Sequence, residues 1–352
     1  MNKKFWKNKK ILITGHTGFK GSWLTIWLKR LGAEIIGYSK SIPTNPSLFE
    51  LANVSDGIKS IEGDIQNYEF LKEIITKHEP EIIFHMAAQS LVIKSYYDPI
   101  ETFSTNVMGT VNLLYAIKET KKPQIVINVT SNKCYENNES LEGYKENDPM
   151  GGYDPYSSSK GCAELVTKSF RNSFFSSNPE NNIALASVRA GNVLGGGDWA
   201  QDRLIPDIIR AIKNKESVKI RNPNSIRPWQ HVMDPLHGYI QLAEKLGSNK
   251  TFSEGWNFGP EKKELKPVSW IIEKFNELWK DKIDWEIKSV EFHEANNLIL
   301  NCEKAKTKLE WSSKINIDKT LSLTIEWYEK YFGNEDMRKV TEEQIKKFQD
   351  LK

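Results

Sequence analysis

The stretch Ile11-Leu-Ile-Thr-Gly-His-Thr-Gly-Phe-Lys-Gly21 constrains the chain more than any other. A short apolar run ends in three glycines spaced three apart, and a helix-forming segment, Gly21–Leu31, follows at once. On that spacing the first glycine permits a sharp turn, the second lets a pyrophosphate approach the backbone, and the third lets helix and strand pack closely. The helix start then offers unpaired N–H groups to phosphate. A glycine trio alone is a weak signal, but one that follows a strand and opens a helix is a strong one. Gly15, His16, Thr17, Gly18, Phe19, Lys20 and Gly21 are therefore expected to cradle a nicotinamide dinucleotide.

The rest of the first half repeats the alternation of short apolar runs and amphipathic stretches. Lys10–Thr14, Glu34–Tyr38, Ile82–His85, Gln124–Val129 and Ile183–Arg189 read as strands; Gln66–Lys77, Ile100–Lys118 and Tyr156–Phe174 read as helices. Such alternation implies a parallel sheet with helices on both faces and right-handed crossovers. After about Arg189 the pattern breaks into glycine clusters, prolines and shorter helices, which predicts a smaller domain over the carboxyl edge of the sheet. The fold class expected is α/β: a Rossmann-type doubly wound parallel sheet with a smaller mixed α/β C-terminal substrate domain. The highly charged stretch Glu335–Lys352 reads as a solvated helix or a frayed tail.

Composition narrows the function. The chain has 49 basic and 46 acidic residues, a net charge of +3, which argues against a nucleic-acid or membrane-surface protein. No apolar run reaches membrane-spanning length. Cys134, Cys162 and Cys302 are an odd number without metal-type spacing, so neither a disulfide framework nor a metal site is expected, and a reducing cytoplasm fits.

Tyr156-Ser-Ser-Ser-Lys160 places a phenol and an ammonium on one helical face. A nearby ammonium favours the phenolate, whose ordinary pKa of about 10 is too high for a base at neutral pH. Tyr156 can then take a hydroxyl proton while hydride leaves the same carbon. Thr130, just after a strand, is the expected hydroxyl donor beside it. At the end of the second strand Tyr38-Ser39-Lys40 replaces the usual acidic residue. On charge alone this leans towards NADP, while the segment Gly63-Asp64-Ile65 further on offers the Asp64 carboxylate near an adenine, so the residues by themselves leave NAD and NADP both open.

Further blocks resemble a known family: His85-Met-Ala-Ala-Gln89, Asn106-Val-Met-Gly-Thr110, Met150-Gly-Gly-Tyr-Asp-Pro-Tyr156, Ser187-Val-Arg-Ala-Gly-Asn-Val-Leu-Gly-Gly-Gly-Asp-Trp199, Asp202-Arg-Leu-Ile-Pro206, Arg227-Pro-Trp-Gln-His-Val232 and Trp256-Asn-Phe-Gly-Pro260. Together with the glycine loop and the Tyr–Lys pair they are similar to the sugar-nucleotide branch of the extended short-chain dehydrogenases/reductases, and within it to the 4,6-dehydratases of CDP-glucose. The likeness runs from about Phe5 to Tyr331. It implies NAD as the cofactor, with Ala87, Ala88, Gln89 and Asn106 added to its site, and a redox-neutral reaction on a sugar nucleotide. C4 of the glucosyl unit is oxidised, water is lost across C5 and C6, and hydride returns to C6. It also implies a homodimer or homotetramer, and two domains: residues 1–190 with a return segment at about 231–258 for NAD, and 191–230 with 259–352 for the sugar nucleotide.

One departure stands out. Thr130-Ser-Asn-Lys-Cys-Tyr-Glu-Asn137 has Asn132 where the resemblance implies the aspartic acid that protonates the departing C6 hydroxyl. An amide has no acidic proton to give. Three readings stay open: Lys133 serves as the acid, a deliberate substitution stalls the reaction, or the chain has moved to a 4-epimerisation that needs no elimination. A silent sugar-nucleotide binder is a further alternative. On the substrate side, Arg203 and Arg227 are expected at the diphosphate because guanidinium matches phosphate oxygens. Gln89, Tyr135, Glu136, Arg189, Asn192, Leu204 and Gln230 are expected along the same cleft, with Trp199 and Trp229 either stacking on the ligand or packed in the core.

Overall fold

The structure, a computed structural model, describes residues 1–176, 183–280, 283–288 and 297–351. Seven strands form one parallel sheet: β1 (Lys10–Thr14), β2 (Glu34–Ser39), β3 (Lys59–Glu62), β4 (Ile82–His85), β5 (Ile125–Val129), β6 (Ala184–Ala190) and β7 (Gly255–Phe258), in the order β7-β6-β5-β4-β1-β2-β3. The chain reverses direction across the sheet between β1 and β4, where Ile11 lies opposite Ile82. Doubly wound folds open their ligand crevice at such a point. The central strands are buried throughout and mostly apolar because both faces are covered. Sequence periodicity missed β3, a largely exposed edge strand, and β7, the opposite edge.

Helices α1 (Phe19–Arg30), α2 (Tyr68–His78), α3 (Gly109–Thr120) and α4 (Pro155–Phe170) are the crossovers. One core holds Leu71, Ile75, Leu113 and Ile117 against Ile36, Ile83 and Val126; the other holds Trp23 and Trp27 against Ile13 and Phe84 and continues into the C-terminal part. The expected long helix from Ile100 is segmented: Asp98 caps a turn over Pro99–Phe103, a π-helical turn spans Ser104–Met108, and α3 follows.

Beyond β6 lie α5 (Leu204–Asn214), α6 (Met233–Ser248), α7 (Val268–Leu278), α8 (Ile317–Phe332) and α9 (Met337–Gln349), with three two-stranded pairings. No helix among the described residues is long and apolar enough to cross a membrane.

The expectation of a solvated or frayed tail is corrected, apart from Lys352, which lies outside the described residues. α9 is amphipathic, burying Met337, Val340, Thr341, Gln344, Ile345 and Phe348, a stripe at helical spacing hidden in sequence by the surrounding charges. Phe348 meets the edge of Trp27 at 5.4 Å, Arg30 pairs with Glu342 at 3.3 Å, and Trp327 of α8 donates to Thr341 at 3.0 Å. The tail thus backs α1. Phe348→Ala should lower the unfolding free energy by about 3 kcal/mol, read from the midpoint of urea denaturation; a freely solvated tail would leave the midpoint unchanged.

Candidate active site

β1 ends at Thr14, and Gly15 turns the chain at φ +76°. A Cβ at Gly15 would stand 2.7 Å from the Ala87 nitrogen, and one at Gly21 would stand 2.1 Å from the Gly15 carbonyl oxygen. These two glycines are required by packing. Gly18 differs: a Cβ there would meet nothing nearer than 3.4 Å, and as N-cap of α1 it supplies no side-chain acceptor. The first-turn N–H groups are left to face the cleft, an arrangement that suits a diphosphate. His16 departs from the expected cradle. Its ring is buried, bonded at 2.8 Å to Ser39 and at 2.8 Å to Ser60, and burial pushes its pKa down to about 4, so it is neutral packing behind the loop. Thr17, Phe19 and Lys20 line the cleft, which holds about 1110 Å³.

At the adenosine end Lys40 does not offer a spare positive charge. Its ammonium lies 2.8 Å from Asp64 and 3.4 Å from Glu101. A 2′-phosphate would meet two carboxylates here, so the NADP leaning of the bare sequence is reversed. Asp64, Ile65, Ala87, Ala88 and Gln89 all border the cleft. Asn106 does not. It is buried and clamps the Gln89 backbone, accepting from its N–H and donating to its C=O, both at 2.9 Å, and donates to Ser159 at 2.8 Å. The Gln89 amide is itself committed to Leu91 and Thr102.

Asp154 caps α4 by accepting from the Ser157 N–H at 2.9 Å, with Pro155 in the first turn. This fixes Tyr156 and Lys160 one turn apart on the wall of the cleft, the ammonium 6.0 Å from the ring centroid. Burial raises the Tyr156 phenol, a bond to Ser131 and the charge of Arg203 lower it, and the net is above the ordinary value, opposite to the direction read from the Tyr–Lys spacing. Burial pushes Lys160 down to about 8.

The hydroxyl beside the phenol is Ser131, not Thr130. Thr130 is turned the other way, donating to Glu164 at 2.5 Å and to the Val188 carbonyl at 3.3 Å. Sequence placed the donor one residue early because both hydroxyls follow the same strand end. What separates them is Glu164, one helical turn beyond Lys160 and buried. Both its oxygens pair with Arg189 at 2.8 Å, and Ser187 donates to it at 2.6 Å. Burial alone would raise Glu164; Arg189 and these hydrogen bonds prevail and hold it at about 2.

Four expected substrate contacts are therefore withdrawn from the cleft. Arg189 is buried against Glu164 and also donates to Tyr135 and to the Glu146 carbonyl. Tyr135 donates to Asn257 at 2.7 Å. Gln230 is buried and donates to the Phe258 carbonyl at 3.0 Å. Glu136 is exposed, away from the cleft-lining residues. Asn132, Lys133, Asn192, Arg203, Leu204 and Arg227 do border it, as do Trp199 and Trp229, which are largely buried. Arg203 bonds Asp198 at 3.0 Å and Ser90 at 3.1 Å. Lys94, Arg210, Lys219 and Arg221 join the same wall; no motif singled them out, and only the fold gathers them. Asn132 is buried, its amide donating to the Leu298 carbonyl at 3.3 Å. Cys134 is buried and its thiol is pushed far up, so it is inert packing. Among the described residues no group of three or more His, Cys, Asp or Glu side chains gathers as a metal site would.

Residues 12–324 match the GDP-mannose 4,6 dehydratase family. CDP-glucose 4,6-dehydratase of Salmonella typhimurium is 52% identical over 343 residues, covering 96% of this chain and 95% of its own. The solved dTDP-glucose 4,6-dehydratase of Bacillus anthracis in complex with NAD superposes with a TM-score of 0.77 at 23% identity, over 92% of this chain and 97% of that one. The UDP-glucose 4-epimerase of Thermotoga maritima with UDP-glucose gives 0.78 at 23% identity, over 92% and 99%. At that identity the two structures establish the shared fold.

Removing one partner of a buried ion pair leaves the other uncompensated. Glu164→Gln should cost about 3–5 kcal/mol in denaturant unfolding at neutral pH. Because the folded Glu164 lies below its ordinary value of 4.5, its contribution is complete above that pH and is lost as pH falls towards about 2. The loss should amount to about 3 kcal/mol, seen as a shallower acid-unfolding profile in the variant than in the unsubstituted chain.

Proposed function

The chain belongs to the GDP-mannose 4,6 dehydratase family, and on that premise we propose that it removes water from CDP-glucose, with NAD as cofactor, to give CDP-4-keto-6-deoxyglucose. The observation that carries the reading is the near full-length identity to CDP-glucose 4,6-dehydratase, together with Ser131, Tyr156 and Lys160 on one wall of the cleft that the glycine loop opens. Such chemistry belongs to deoxysugar synthesis for surface polysaccharides.

The residues present fit the cofactor: Gly18 leaves the α1 terminus open to a diphosphate, and paired Lys40 disfavours a third phosphate. When bound, NAD supplies a hydride acceptor that can give the hydride back. Tyr156 takes the proton of the C4 hydroxyl as hydride departs. Ser131 holds that oxygen, and the Lys160 ammonium favours the phenolate over the phenol during transfer. The oxidation makes the C5 proton acidic, and Asn132 and Lys133 stand at the positions that act in elimination. Asn132 cannot donate an acidic proton, so Lys133, as the neutral amine, is the group left to take the C5 proton and pass it to the departing C6 oxygen, which leaves as water. The arginines of the C-terminal wall, Arg203 and Arg227 with Arg210 and Arg221, serve the substrate diphosphate.

Asn132 also favours a second reading, a C4 epimerase, because epimerisation needs no acid at C6. Product analysis separates the two: a 4-keto sugar with one water lost supports dehydration, and a 4-epimer retaining its C6 hydroxyl overturns it.

The assembly is a homodimer in the cytoplasm. Support comes from the apolar surface of the segmented helix and α4, where Ile100 is 79% exposed, Met108 51% and Leu165 56%, and from three unpaired cysteines.

Three outcomes are expected. Asn132→Asp should raise the dehydration rate, by about 10²-fold if the missing acid limits the step, followed by alkaline 4-keto absorbance. Ser131→Ala should lower turnover by about 10²-fold while Thr130→Val stays within several-fold; the reverse order would restore Thr130 as the donor. Ile100→Arg paired with Leu165→Arg should shift the chain to a monomer in sedimentation velocity.

A further inference from the structure

The Asn106 clamp on Gln89 belongs to a longer run of buried hydrogen bonds. Thr14 and His85 are the last residues of β1 and β4 and lie opposite one another in the ladder. Thr14 Oγ1 stands 2.7 Å from His85 Nδ1, and His85 Nε2 stands 3.3 Å from Thr110 Oγ1 on α3. All three side chains are buried. Burial first and the Lys160 charge second push the His85 imidazole down to about 3, so the ring is neutral and carries one proton.

The neighbours decide which nitrogen holds that proton. The Thr110 hydroxyl spends its one hydrogen on the Asn106 carbonyl at 2.7 Å, so towards His85 it can only accept. His85 Nε2 is therefore the protonated nitrogen, and Nδ1 must accept. Thr14 supplies the donor: its oxygen accepts from the Met86 and Ala87 N–H groups at 3.1 and 3.2 Å, and its own hydrogen is left for Nδ1. On the far side of Asn106 the run reaches the catalytic helix. The Asn106 amide donates to Ser159 at 2.8 Å, and Ser159 donates to the Tyr156 carbonyl at 2.7 Å. Both branches finish on backbone carbonyls, so the run delivers no proton to the cleft. It acts as a strut between two strand ends and α4.

The end of β1 leads into the turn of the dinucleotide site, and Tyr156 exchanges the proton. Hydride transfer must hold these two parts in register. We propose that His85, locked as the Nε2–H tautomer between Thr14 and Thr110, is a positioning residue that sets Tyr156 relative to the dinucleotide. The proposal rests on the reading of the chain as an NAD-dependent dehydratase. It assigns His85 to the rate of the hydride steps and not to the binding of either ligand.

Misplacing reacting groups by about an ångström can cost about 10²-fold in rate. His85→Phe fills similar space without either bond. It should lower kcat for CDP-glucose by about 10²-fold, leave KM within several-fold, and raise the isotope effect of CDP-glucose deuterated at C4. His85→Gln, whose amide can both donate and accept, should recover most of the loss. A change in KM alone, an unchanged isotope effect, or equal losses in two variants of equal thermal stability overturns the proposal. The tautomer is read without reference to activity, from nitrogen-15 shifts of the full chain labelled at histidine, with His85 assigned by its absence from His85→Gln. A protonated Nε2 and a bare Nδ1 are expected. A protonated Nδ1, or exchange between the tautomers, overturns the proposal even where His85→Phe does not fold. If the unsubstituted chain shows the expected tautomer but removes no water from CDP-glucose, the dehydratase reading has failed, and the inference falls with it.

Discussion

The Glu164–Arg189 ion pair is the constraint on which the rest of the site depends. Both partners are buried, and each carries further bonds that would be unsatisfied without the other: Glu164 accepts from Thr130 and Ser187, and Arg189 reaches Tyr135 and the Glu146 carbonyl. The pair joins α4, which carries Tyr156 and Lys160, to β6 and to the loop after β5, which carries Ser131, Asn132 and Lys133. Desolvating two charges is expensive, and a buried pair is weak evidence for added stability. What the pair supplies here is direction. By drawing the Thr130 hydroxyl inward, Glu164 leaves Ser131 as the hydroxyl that faces the phenol.

Much of the fold was legible because it is written locally. An apolar run, a glycine trio and a helical segment follow one another between Ile11 and Arg30, and the Asp-Pro cap and the Tyr–Lys spacing fall between Asp154 and Lys160. The strands that escaped notice, β3 and β7, are edges, where one side of the ladder lacks a neighbour and the apolar signal thins. The site was legible in part for the same reason. Gly15 and Gly21 can be read from spacing. The commitment of Arg189 to Glu164 cannot, because it joins residues far apart in sequence and an arginine beside a glycine-rich loop looks the same whether it faces phosphate or carboxylate. Lys40 shows the same limit: its character is decided by Asp64 and Glu101, not by its strand.

The Asn132 position joins both kinds of evidence. Sequence shows an amide where the resemblance leads one to expect an acid, and the structure shows that amide donating to the Leu298 carbonyl. The pocket around it therefore suits a neutral donor. A protonated carboxylic acid could make the same contact, whereas a carboxylate there would face a carbonyl oxygen with nothing to share. Relative to the expected acid, the amide preserves the hydrogen bond and gives up only the proton.

The docking of α9 on α1 has a consequence for how the protein is made. α1 precedes α9 in the chain by most of the fold, so Trp27 and Arg30 on its rear face meet Phe348 and Glu342 only after everything between them has been made. Until then the helix that opens the cleft lacks this backing, and Trp27 lacks the ring of Phe348. The backing of the helix that opens the cleft is thus a long-range contact, closed by a segment distant in sequence and not by its immediate neighbours.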